Sequence, residues 1–355
     1  VLVSDQLAPE GLEILERARG IEVIYEPDLD PASLLEVIRD AEGLLVRSGT
    51  QVTAEVLEAA EKLKVIGRAG VGVDNVDVGV ASKKGVVVVN APGGNTITTA
   101  EHAIALLVAL ARHVPQATAS MKAGTWEKKK FKGMELYNRT LGVVGLGNVG
   151  RIVADRARGL GMRVIAFDPF ISAEVAQKQD VELLGFDELL GRADAISIHV
   201  PRSKETLGLF GREAFEKMRP GVLLVNAARG GIVDEEALAE ALESGKVGGA
   251  ALDVFVKEPP PADHPLLGMS NVICTPHLGA STAQAQLNVS ITAAEQVRDY
   301  LLEGAVRNAV NVPSISPELL EQVRPYLVPV SYTHLRAHET RAFISYAVFC
   351  VKRGG

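Results

Sequence analysis

Cysteine is scarce in this sequence: Cys274 and Cys350 are the two present among 355 residues. That leaves no disulfide framework and makes a reducing cytoplasm the expected setting. Positive charge is not concentrated either. A net charge of -7 without extended basic clusters counts against a nucleic-acid partner, whose phosphates require grouped lysine and arginine. A small anionic ligand remains open, because it needs only a few local cations. Long apolar runs are also missing, since the longest, at residues 103–111, falls far short of the ~18 that suggest a membrane span. The chain opens Val-Leu-Val-Ser-Asp5, which reads as a first strand rather than a signal sequence. No metal site is expected.

What is present is the composition of a soluble globular protein, 47% hydrophobic and 23% charged, in a chain long enough for two domains. Apolar runs at 1–3, 21–25, 43–46, 65–67 and 86–89 alternate with amphipathic stretches such as 10–17 and 54–60. This rhythm predicts a doubly wound parallel α/β sheet. It breaks at Asn90-Ala-Pro92-Gly-Gly-Asn95, and a long apolar helix is expected over 98–112. After a lysine-bearing segment at 122–132 the rhythm restarts with runs at 141–144, 163–167, 195–199, 222–225, 250–252 and 272–274. A helical stretch at 281–303 then returns the chain to the first lobe. The expected architecture is two doubly wound parallel-sheet lobes with a cleft between them. A discontinuous flavodoxin-like substrate domain (1–92 and 282–312) encloses a Rossmann-like nucleotide domain (93–281).

Chemistry-bearing motifs cluster after the later strands. The run at 141–144 leads into Gly145-Leu-Gly147-Asn148-Val149-Gly150 and a helix, and the next strand ends at Asp168, roughly 20 residues on. Glycines there permit a tight turn and close approach to a pyrophosphate, and the acid can accept from ribose hydroxyls. Because Asp168 is followed by Pro169 and Phe170 rather than an arginine, NAD is favoured over NADP.

Three further segments each follow a strand: Asn226-Ala227-Ala228-Arg229-Gly-Gly, Asp253-Val-Phe-Val-Lys-Glu258-Pro-Pro, and Thr275-Pro-His277-Leu-Gly279-Ala280-Ser281. In open α/β sheets ligands bind beyond the carboxyl ends of the strands, so these loops would meet at one edge. His277 would move the proton of a hydroxyl, with Glu258 fixing its tautomer. Arg229, set among small residues, would take a carboxylate with its planar fork; the competing reading pairs it with Asp234 or Glu235. Asp253 either reaches the nicotinamide end or is structural. For His102, His113 and His264 a structural or surface role is expected. In the first lobe, Arg47-Ser48 and Arg68-Ala-Gly70-Val71 end two strands and could bind a second anionic group such as a phosphate. The run Lys128-Lys-Lys-Phe-Lys132 reads as a solvated face that could add positive potential at a subunit contact.

With these residues in view, the chain resembles the NAD-dependent D-2-hydroxyacid dehydrogenases over about residues 1–325. The signatures are Gly67-Arg-Ala-Gly-Val-Gly-Val-Asp74-Asn, Gly94-Asn-Thr-Ile-Thr-Thr-Ala-Glu101, Trp126-Glu-Lys-Lys-Lys-Phe-Lys-Gly133, the glycine loop and the three strand-end segments. Several of them point to the phosphoglycerate branch. The resemblance implies oxidation of 3-phospho-D-glycerate, the first step of serine biosynthesis, with Arg229, Glu258 and His277 as the catalytic set. It implies NAD contacts at Asn148, Val149, Asp168, Val200, Ala227, Ala228, Arg229, Asp253, His277, Gly279 and Ala280, with Val71 near the nicotinamide. It also implies a homodimer through the nucleotide-binding lobes, with Lys128 reaching a neighbouring subunit and a tetramer left open for a longer protein. The long helix over 98–112 looks too apolar for one lobe to cover, which fits that assembly. Within the same chemistry the alternative is a glyoxylate or hydroxypyruvate reductase. Outside it, the alternative is an NAD-sensing module similar to the corepressors that keep the dehydrogenase trio.

The C-terminal region departs from the resemblance. Residues 313–328 look like the start of an intervening domain of longer members. Residues 329–355 hold four aromatics, two of the seven histidines and almost no acid. They resemble translated adapter sequence, so a non-native tail is expected there.

Overall fold

The computed structural model describes residues 1–312; the intervening-domain start at 313–328 and the tail at 329–355 lie outside the described residues. Two compact units form, one of Val1–Asn95 together with residues 283–312, the other of Thr96–Thr282. The divisions expected from the sequence stand at 92/93 and 281/282.

The first unit carries β1 (Leu2–Val3), β2 (Ile24–Tyr25), β3 (Gly43–Val46), β4 (Val65–Arg68) and β5 (Val87–Asn90). They form one parallel sheet in the order β2-β1-β3-β4-β5. Successive strand residues point to opposite faces. Leu44, Val46, Ile66 and Val88 therefore join Leu34, Ile38 and Leu57 on one side. On the other, Leu45, Val65, Val87 and Val89 pack with Val289, Ala293 and Val297 of the helix Ala283–Glu303. Both faces are covered, which is why these strands read as continuous apolar runs. Each buried Leu, Ile or Val contributes roughly 1.5–3 kcal/mol before entropy is counted. The expected strand at 21–25 is shorter, only Ile24–Tyr25, because it is an edge whose side chains both face solvent.

The second unit carries β6 (Thr140–Val144), β7 (Arg163–Phe167), β8 (Glu182–Leu183), β9 (Ala195–Ile198), β10 (Val222–Asn226), β11 (Val247–Leu252) and β12 (Val272–Cys274). All are parallel, in the order β12-β11-β10-β9-β6-β7-β8. From β6 the chain builds outward first through β7 and β8, then in the other direction from β9. The β6/β9 junction is thus the switch point at which such sheets open a crevice. The strand β8 has no counterpart among the expected runs; its two residues, one of them charged, carry no period-2 signal.

The helix expected at 98–112 spans Thr96–Ala111; one face of it is buried, while Ile97 stands 58% exposed. Ala100, Ala103, Leu106, Leu107 and Leu110 pack against Val153, Ala157, Leu223 and Val225 of the same unit. Much of its apolar content is thus covered by its own sheet, with Ile97 left at the surface. Among the described residues no single helix is long and apolar enough to cross a membrane.

Candidate active site

The β10, β11 and β12 strands are adjacent and in register at their ends, Asn226 beside Leu252 and Leu252 beside Cys274. Their following loops therefore share one edge of the sheet, and the three strand-end segments come together there.

In the β12 loop, His277 presents Nδ1 at 2.6 Å from Glu258 Oε2. The other carboxylate oxygen, Oε1, accepts from the Phe255 amide at 3.1 Å. Burial pushes the Glu258 carboxyl up, but the bonds from His277 and the Phe255 amide outweigh it and hold the group below its ordinary value. Glu258 is therefore an anion at neutral pH. With Nδ1 committed to it, Nε2 is the nitrogen left to exchange a proton with a ligand, and the His277 side chain is 48% exposed. Beside the pair lies a cavity of about 390 Å³ lined by Phe255, Glu258, Leu267, Cys274, Pro276 and His277.

His277 has a left-handed backbone, φ 54°, a conformation a non-glycine residue adopts only when its surroundings hold it. Asp253 does so. Its carbonyl accepts the His277 N–H at 2.9 Å. Its carboxylate takes the Leu278 amide at 2.7 Å, the Gly279 amide at 2.8 Å and the Thr275 hydroxyl at 2.6 Å. His102 Nε2 lies 3.2 Å from the same Oδ1. Burial again pushes this carboxyl up, and the bonds from His102, Thr275 and the Leu278 amide prevail, leaving it lowered. Asp253 is 1% exposed, so its carboxylate is occupied by the chain's own donors and acts as the anchor of the His277 loop.

His102 is the residue that sequence reasoning set aside. The structure places it in this network, bonded also toward Thr275 Oγ1 at 3.3 Å, with Thr99 Oγ1 donating to the Gly279 carbonyl at 3.0 Å. A readable signal existed: Thr99 and His102, three apart, form a polar stripe on an otherwise apolar helix. The other two histidines set aside sit elsewhere, His264 against Glu235 at 3.1 Å and His113 at the start of the helix Val114–Lys122.

Arg229 follows β10 in a loop folded by Asn226, whose side chain donates to the Arg229 carbonyl at 3.0 Å and accepts from the Ala228 amide at 3.1 Å. The guanidinium bonds the Ala228 carbonyl at 2.7 Å. Gly230 must be glycine, because a Cβ there would overlap the Phe255 carbonyl. That close approach seats the Arg229 loop against the one bearing Glu258. Of the carboxylates considered as partners for Arg229, Asp234 caps the helix Glu235–Glu243 through the amides of Glu236 and Ala237. Glu235 binds the Val256 amide at 2.7 Å as well as His264.

At the switch point, Gly145 turns with φ 93° and the helix Asn148–Gly159 starts from Gly147, whose Cα faces open space. Gly150 packs on the Gly145 carbonyl so closely that a Cβ would overlap it. Asp168 accepts the Leu146 amide at 2.8 Å and the Phe170 amide at 2.9 Å, tying β7 to the glycine loop. Asn148 accepts from Arg151 at 3.1 Å, Val149 packs at the edge of the core, and Val200 lies against Gly145. Ala227 is buried, with Ala228 and Ala280 partly so. The open glycine loop at a helix N-terminus with an acid at the next strand end suits a dinucleotide.

In the first unit, β3 and β4 pair with Val46 opposite Arg68, so Arg47 and Arg68 stand at neighbouring strand ends, with exposed Ser48 beside Arg47. Gly70 lies under the Arg68 guanidinium, and the Val71 carbonyl accepts from Asn90 at 2.6 Å. Lys128 is exposed in a short 3-10 turn, Lys128–Lys130.

Comparison with known proteins accords with this geometry. Residues 104–279 match the NAD-binding domain of the D-isomer specific 2-hydroxyacid dehydrogenases. The D-3-phosphoglycerate dehydrogenase of Archaeoglobus fulgidus is 54% identical over 327 residues, covering 92% of this chain and 62% of that protein. That of Bacillus subtilis is 47% identical over 326 residues, with 92% and 61% covered. The chain thus spans about three fifths of the length of these curated relatives. Among solved structures, the TT0316 protein of Thermus thermophilus matches with TM-score 0.79 and 38% identity, over 87% of this chain and 99% of that one. A D-lactate dehydrogenase from Aquifex aeolicus, solved with NAD and lactic acid, matches with TM-score 0.77 and 27% identity, over 88% and 100%.

Proposed function

This chain belongs to the D-isomer specific 2-hydroxyacid dehydrogenase family, and we propose that it oxidises the C2 hydroxyl of 3-phospho-D-glycerate to 3-phosphohydroxypyruvate with NAD. The observation that carries the chemistry is the Glu258 carboxylate at 2.6 Å from His277 Nδ1, beside the Arg229 loop on one strand edge. NAD, when bound along the 145–150 loop, supplies the hydride acceptor. Arg229 takes the substrate carboxylate in its planar fork and so orients C2. His277 Nε2 accepts the hydroxyl proton during oxidation and returns it during reduction. Glu258 holds the proton on Nδ1, leaves Nε2 facing the substrate, and stabilises the imidazolium once it forms.

The phosphoglycerate substrate is supported by the names of the curated relatives and by Arg47 and Arg68, a pair of cations that an unphosphorylated hydroxyacid would not require. Arg47, Ser48 and Arg68 take the phosphate in this reading. A homodimer is part of the same proposal, with Lys128 contributed to a neighbouring subunit. It is supported by Val114, Met121 and Trp126, large apolar side chains that stand exposed on and after the helix Val114–Lys122. Light scattering of the purified chain tests it, and a monomer would refute it.

A spectrophotometric NADH assay with 3-phosphohydroxypyruvate, hydroxypyruvate and 2-oxoglutarate side by side tests the reading. The phosphorylated acid should give the highest kcat/KM. Preference for hydroxypyruvate would make the protein a reductase of unphosphorylated acids. NADH binding without turnover on any of them would make it a binding module.

A further inference from the structure

The loop that carries Arg47 is held by two side chains for which the proposed chemistry has no use. Asp5, just after β1 and 6% exposed, turns its carboxylate toward that loop. Its Oδ2 accepts the Arg47 amide at 2.5 Å and the Thr50 amide at 3.2 Å, and Oδ1 accepts the Thr50 amide at 3.1 Å. Asn75 donates both of its amide hydrogens, one to the Arg47 carbonyl and one to the Thr50 carbonyl, each at 2.7 Å. Its Oδ1 stands 3.5 Å from Arg68 Nε.

The Arg47 and Thr50 amides are spent on Asp5, so they cannot serve as a backbone nest for an anion. Those two amides are closed to a phosphate, which leaves the Arg47 and Arg68 side chains as its charged partners here. In addition, the Asn75 amide can face only one way, since the reversed orientation would set its oxygen against two carbonyls. One side chain therefore joins the backbone of the Arg47 loop to the Arg68 side chain. Long arginine side chains lose rotamer freedom when fixed, so a built spacing between two of them matters.

We propose that Asn75, with Asp5 as its buried counter-anchor, is a specificity-determining positioning residue that sets Arg47 and Arg68 at the separation a phosphomonoester requires. This rests on the reading that Arg47 and Arg68 take the substrate phosphate.

The test is the selectivity ratio, kcat/KM for 3-phosphohydroxypyruvate over that for hydroxypyruvate, in the full chain and in Arg47→Gln, Asn75→Asp and Asn75→Ala. Asn75→Asp keeps the size of the side chain but turns oxygen toward both carbonyls. It should lower the ratio about tenfold or more, chiefly through KM for the phosphorylated acid, a loss of the size expected for one charge-assisted contact. Asn75→Ala removes the donors without adding charge and should lower the ratio in the same direction, so the test stands even where the aspartate variant does not fold. If Arg47→Gln lowers the ratio and both Asn75 variants leave it unchanged, the role of Asn75 is overturned and the phosphate reading stands. Equal losses on both substrates in the Asn75 variants also overturn it, because that is the mark of a general structural role. If Arg47→Gln itself leaves the ratio unchanged, both the reading and the inference fall.

Discussion

Asp253→Asn should damage stability and catalysis together, because one carboxylate holds the loop that carries His277. Oδ1 faces Thr275 Oγ1 at 2.6 Å, the Leu278 amide at 2.7 Å and His102 Nε2 at 3.2 Å, whereas among the described residues Oδ2 bonds only the Gly279 amide, at 2.8 Å. The asparagine will therefore keep its oxygen on the crowded side and turn its NH₂ toward Gly279, donor against donor. Bonds to a charged group are worth about 1.5–3 kcal/mol each, so losing one and weakening the rest costs roughly 3 kcal/mol. For a unit of this size that is a fall of roughly 6–12 °C in Tm. A displacement of the imidazole by about 1 Å would lower kcat up to ~100-fold. The sign of the pH dependence follows from the lowered pKa of Asp253, against an ordinary value of 3.8. A group whose pKa is depressed on folding contributes stability that is present above its unfolded value and lost as pH falls through the folded one. The gap between wild type and Asp253→Asn should thus be constant above about pH 4 and close below it. Calorimetry across pH and steady-state NADH kinetics measure both effects. An unchanged Tm with unchanged kcat would refute the anchoring role.

Most of the sheet was legible in the sequence, for a physical reason. Strands covered on both faces are apolar along nearly their whole length, so β3 and the Val-Leu-Leu-Val of β10 announce themselves as unbroken runs. The edge strands β2 and β8 lack that signal because one side or both face water. The proton-transfer pair was legible as types and spacing, since Glu258 and His277 each follow a strand end and parallel strands bring such ends together. What could not be read was partnership across the fold. His102 looks like any half-buried histidine until the helix Thr96–Ala111 is laid along β11 and β12 and its ring meets Asp253. The sequence likewise left Asp253 between a cofactor contact and a structural role, because the donors that fill its carboxylate come from Thr275, Leu278 and Gly279, over twenty positions away. The apolar helix is ambiguous in the opposite sense. Its composition is the same whether a sheet or a second subunit covers it; its own unit buries Ala103, Leu107 and Leu110 and leaves Ile97 exposed.

The remaining predictions separate chemistry from support. His277→Ala should lower kcat by about 10²–10⁴-fold while the Kd for NADH, measured by fluorescence, changes little; full activity would refute the proton role. Gly230→Ala should raise KM for the 2-oxoacid more than KM for NADH, because the added methyl meets the Phe255 carbonyl and the backbone there cannot yield cheaply. Equal KM values would show that the Arg229 loop is not seated by that contact. His102→Leu and His102→Gln test the support behind Asp253. Leucine fills the space but removes the Nε2 donor that reaches Asp253 Oδ1 at 3.2 Å, in a pocket where the histidine is only 19% exposed. A buried carboxylate that loses a donor is less well held as an anion, at a cost of about 1–3 kcal/mol. Its grip on the Leu278 and Gly279 amides should loosen, and kcat should fall roughly tenfold with KM for NADH little changed. Glutamine can present a neutral N–H at nearly the same reach, so it should recover most of the loss and do so equally at low and high pH. If leucine and glutamine behave alike, His102 acts through packing alone, and the hydrogen bond to Asp253 has no part in positioning His277.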